Sequence, residues 1–89
     1  MRVDGAVIKE QGVTFAVVIV KSHLLSNHSE ADKYIQSAQT SLFPGIPVVL
    51  MAQDSRGTPT YYGRPDLSKF LANVPMQAIP WKKYTFSER

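Results

Sequence analysis

The sequence predicts an α+β domain in the order β-β-α-β-β-α, built on one four- to five-stranded mixed or antiparallel sheet with two helices on one face. Three observations predict it. The run Val13 to Val20 is almost uninterruptedly apolar, as in a central strand covered on both sides or on one side and at a subunit contact. Two segments carry apolar residues at helical spacing, and Gly- and Pro-containing breaks separate them from short β-branched runs.

The elements follow in order. Ala6-Val7-Ile8 leads through Lys9-Glu10-Gln11-Gly12 into Val13 to Val20, which reads as a hairpin because glycine accepts the positive φ of a tight turn. Ser22 to His28 reads as a polar loop. Ala31, Tyr34, Ile35, Ala38 and Leu42 then mark one face of a helix, with Ser29 as its capping residue, and Pro44-Gly45 as its end. Pro47 to Ala52 reads as a third strand, Gln53 to Gly57 as a turn with Asp54 as a turn residue, and Thr58 to Tyr62 as a fourth strand. Leu67, Phe70, Leu71 and Val74 mark a second helix that Pro75 stops. Both helices on one side of a single sheet would leave the other side to solvent, to the C-terminal segment or to a second subunit.

Length and composition set the class. The 89 residues suit one domain, 1–89, with 75–89 as a C-terminal edge strand or arm. The chain is 44% hydrophobic, close to the globular norm, and 19% charged, below it, so part of its surface is neutral or apolar. The absence of cysteine excludes disulfides, thiolate zinc sites, iron–sulfur clusters and thiol redox chemistry. The longest apolar run is too short for a membrane span or a secretion signal, so the expected location is cytoplasmic. A net charge of +3 is modest, and it is scattered until the basic-aromatic C-terminus.

The stretch Ile46-Pro47-Val48-Val49-Leu50, then Gly57, Thr60-Tyr61-Tyr62-Gly63, and Leu67, Phe70 and Leu71, resembles the C-terminal half of thioredoxin-like domains. The resemblance spans residues 45–74 and implies a strand, a hairpin and a closing helix, with a cis proline at Pro47. Without any Cys-x-x-Cys, it implies at most a redox-inactive relative.

No catalytic constellation stands out. There is no Gly-x-Ser-x-Gly elbow and no glycine loop opening a helix to cradle phosphate. His23 and His28, with Asp32 nearby, are spaced for surface loop residues rather than for one metal ion. The expectation is therefore a non-enzymatic protein with no catalytic residue, no metal and no cofactor.

Two segments are candidates for partner binding. Arg56, Tyr61, Tyr62 and Arg64 combine guanidinium and aromatic groups on one hairpin, a mixture that can grip single-stranded nucleic acid. Trp81, Lys82, Lys83, Tyr84 and Phe86 place three aromatics beside two cations, and aromatics are costly to leave in water. The leading expectation is a small binding or assembly module that self-associates or meets a protein partner through an open sheet face and this arm. The alternative is nucleic-acid binding through Arg56, Tyr61 or Tyr62, Arg64, Lys82 and Lys83.

Overall fold

The computed structural model describes residues 2–10 and 12–85. Strand β1 (Arg2–Glu10) turns back into β2 (Val13–Ile19) with Gly12 at φ 81°, a conformation that costs L side chains steric strain. Ser22–Leu25 forms a one-turn helix, α1, where the sequence suggested a loop, and α2 (His28–Ser41) follows it. The cap of α2 is Asn27 rather than Ser29: its side chain accepts the Glu30 N–H at 3.2 Å, and Ser29 lies inside the first turn.

Strands β3 (Val48–Gln53) and β4 (Pro59–Tyr62) form a second hairpin. Asp54 shapes its turn, its Oδ1 accepting the N–H groups of Arg56 and Thr58 at 2.8 and 2.9 Å. Helix α3 (Pro65–Ala72), a short 3-10 turn (Met76–Ala78) and β5 (Lys82–Thr85) complete the chain.

The strands make one five-stranded mixed sheet in the order β4-β3-β2-β1-β5. β2 and β3 run parallel, joined by the crossover through α1 and α2, and the other neighbours run antiparallel. The expected sheet and the two principal helices are therefore present, and the C-terminal segment supplies the fifth strand.

The helices do not share a face. Ala16, Val18, Val48 and Leu50 pack with Ala31 and Ala38 of α2, whereas Phe15, Val17, Val49 and Met51 pack with Leu67 and Leu71 of α3. The cause is the composition of the central strands. Successive side chains of a strand point to opposite sides, so an unbroken apolar run creates two apolar faces, and each needs a cover. α2 covers one as the β2–β3 crossover. α3 covers the other after the chain leaves β4. Among the described residues, both faces of the central strands are covered, which corrects the expectation of an open sheet face.

Candidate interaction site

With both faces filled, the sequence-derived candidates fall on the two edges of the sheet. Tyr61 and Tyr62 on β4 point to opposite sides. Tyr61 packs into the α3-side cluster, where burial pushes its phenol above the ordinary value and its hydroxyl has no hydrogen-bond partner among the described residues. Tyr62 turns toward α2, and its hydroxyl donates to Asp32 Oδ1 at 2.7 Å. The ring of His28 stacks on that of Tyr62 with centroids 4.8 Å apart. The Asp32 hydrogen bond, aided by desolvation, raises the Tyr62 pKa.

Arg64 sits at the start of α3 and closes a two-pronged ion pair with Asp66, Nε to Oδ1 at 3.1 Å and Nη2 to Oδ2 at 2.7 Å. The pairing raises the Arg64 pKa and lowers that of Asp66. Beside Arg64 a groove of about 510 Å³ runs along α2, walled by Gln36, Gln39, Thr40 and Pro47. Gln39 is held there by accepting the Val48 N–H at 3.1 Å. Arg56 lies exposed at the tip of the β3–β4 turn.

The opposite edge holds the C-terminal candidates. Trp81 is half-buried against the α3-side cluster, and its indole Nε1 donates to the Met76 carbonyl at 3.2 Å. Lys82 and Lys83 lie opposite Gly5 and Asp4 in the β1–β5 ladder, and Lys83 Nζ meets Asp4 Oδ1 at 2.8 Å. Tyr84 packs edge-on against Phe43, centroids 4.9 Å apart. Phe86 lies outside the described residues.

These positions bear on both candidate groups. Of the two forms expected for the C-terminal segment, edge strand or arm, Lys82 to Thr85 take the edge strand beside β1, and Trp81 and Tyr84 cover this molecule's own two clusters. The two candidate groups also do not form one surface: β4 and β5 are opposite edges, and four strand spacings of about 4.8 Å separate them by roughly 19 Å. On the β4 edge, moreover, Tyr62 carries His28 on its ring and Arg64 is engaged with Asp66.

Sequence reasoning missed the outer edge of β1. β5 pairs only with Arg2 to Gly5, so among the described residues no strand flanks Ala6 to Glu10 on that side. Continuing the Gly5–Lys82 register would bring Pro80 opposite Val7. Proline has no N–H to donate, and the Trp81 N–H instead reaches back to the Ile79 carbonyl at 2.9 Å. Val7, 41% exposed, is the exposed large hydrophobic side chain among the described residues. The available signal was Pro80, since a proline there stops a terminal strand from covering the full length of β1.

Among the described residues no His, Asp or Glu side chains gather in a group able to hold a metal, and no helix is long and apolar enough to cross a membrane. The peptide before Pro47 is trans, unlike the cis proline that the thioredoxin-like resemblance implied. No protein-family model, curated protein or solved structure matches this chain.

Proposed function

We propose that this protein is a small, non-enzymatic binding or assembly module that self-associates through a strand edge of its sheet. The observation that carries the reading is the outer edge of β1 from Ala6 to Glu10, which no strand flanks among the described residues, with Val7 exposed on it. An uncovered strand edge presents a row of backbone donors and acceptors, and addition of another strand is the contact it is built to make. With the central sheet faces covered and the aromatic arm packed against its own chain, unpaired strand edges are the surfaces that fit an assembly role, and the β1 stretch is the one that carries an exposed large hydrophobic side chain among the described residues.

Sedimentation velocity of the full chain from low to high micromolar concentration tests the reading. A sedimentation coefficient that climbs with concentration supports it, and a constant monomeric value throughout counts against it.

A further inference from the structure

Where β2 ends and the crossover begins, the chain leaves a pocket of about 430 Å³. Val3, Val20, Leu24 and Tyr34 wall it, and Lys21 and His23 stand among them. The geometry points to a binding site for a small amphipathic carboxylate, its apolar tail against these walls and its anionic head beside Lys21 and His23. The pocket includes no residue of the stretch Ala6 to Glu10, so the inference does not depend on the strand-edge reading.

The local sequence accounts for the hollow. β2 stays apolar to its last residue, yet the element that follows it is the one-turn helix α1, which has no fully buried side chain. Val20, Leu24 and Tyr34 therefore pack only partly against the α2-side cluster and keep apolar surface on the pocket wall. The position also fits a ligand. β2 runs parallel to β3, and in sheets with parallel strands ligands bind outside the carboxyl ends. The volume falls within the roughly 300–1,000 Å³ of small-molecule sites.

Charge selects the ligand class. Among the described residues no Asp or Glu lines the pocket, and neither Lys21 nor His23 has an ion-pair partner. Arg64, beside the larger groove along α2, differs in that Asp66 already neutralises it. Apolar walls alone would take any neutral apolar molecule, and the cationic side chains add a preference for an anionic head. An ammonium head would meet like charge, and an anion without a tail would leave the apolar walls wet. Lys21 and His23 are both exposed, so a carboxylate can meet them without either side chain leaving water. The charge contribution is correspondingly modest.

Octanoate is the probe, with octanol and octylammonium as its neutral and cationic counterparts. Titrated into the isotope-labelled full chain, octanoate should shift the amides of Val20 to Leu24 and of Tyr34, with a Kd of roughly 0.1–1 mM. Octanol should bind about fivefold more weakly, and octylammonium more weakly still. Lys21→Glu, at an exposed position, should weaken octanoate about tenfold while leaving octanol unchanged. Unchanged octanol binding, with a thermal melt of the variant, shows that the pocket and the fold are intact. If octanoate shifts none of these amides, or octanol binds as well, or Lys21→Glu takes octanoate undiminished, the inference fails. If the amides move on dilution of the ligand-free protein and not with octanoate, a second copy fills the pocket and the inference fails as well.

Discussion

The hydroxyl of Tyr62 donates to the carboxylate of Asp32 at 2.7 Å, clasping the edge strand β4 to helix α2 across 30 residues of sequence. The bond exists only while the phenol keeps its proton. Its folded pKa is raised above the ordinary value near 10, so the stabilisation is fully present below that value. It is lost as pH rises through the higher folded value. Denaturant midpoints measured from neutral into alkaline solution should therefore fall less for Tyr62→Phe than for the wild type. At neutral pH the variant should be slightly less stable. Identical alkaline profiles would remove the clasp as a contributor.

The two-sided core predicts two independent losses. Leu50 packs under α2 and Leu71 packs from α3 on the other face, and both are fully buried. Leu50→Ala and Leu71→Ala should each cost about 2–5 kcal/mol in equilibrium unfolding. Because they belong to different clusters, the double variant should lose their sum to within about 0.5 kcal/mol. A chain already marginal with one change would need a stabilising osmolyte for the double.

Gly5 is predicted to be intolerant for a different reason. A Cβ there would stand 2.9 Å from the Val17 carbonyl oxygen and 3.4 Å from the Tyr84 ring. The clash with backbone cannot be relieved by a side-chain rotation. Gly5→Ala should destabilise by roughly 1–3 kcal/mol, the range for forced overpacking. The substitution should also loosen β5, read as faster amide exchange at Lys82 to Thr85.

Trp81, the sole tryptophan, reports the docking of the C-terminal strand. Its ring is half-buried and its N–H is satisfied by Met76, so emission should move to longer wavelength on unfolding. Trp81→Ala should cost about 1–3 kcal/mol through lost packing and an abandoned carbonyl. If emission already matches that of the denatured chain under native conditions, the segment is not docked.

Much of the fold was legible in particular residues. Gly12 between β-branched runs marked the first hairpin, Asp54 to Gly57 marked the second, and the spacings of Ala31 to Leu42 and Leu67 to Leu71 marked the two long helices. These are local signals, carried by backbone preference and by the period of apolar residues. The candidate site was less legible. Tyr62 and Arg64 looked available because their partners, His28, Asp32 and Asp66, are not read from hairpin composition.

The sequence by itself determined the kinds of element, their order, and the exclusion of thiol chemistry. It also contained the demand for two covers, in the unbroken apolar runs of β2 and β3. Only the tertiary structure decided that α2 and α3 take opposite faces and that the C-terminal strand reaches no farther than Gly5. The physical reason is that strand order and the extent of pairing depend on contacts between residues distant in the chain. Helical period, turn residues and caps reveal what a segment becomes, but not which neighbour covers it, nor which edge is left bare.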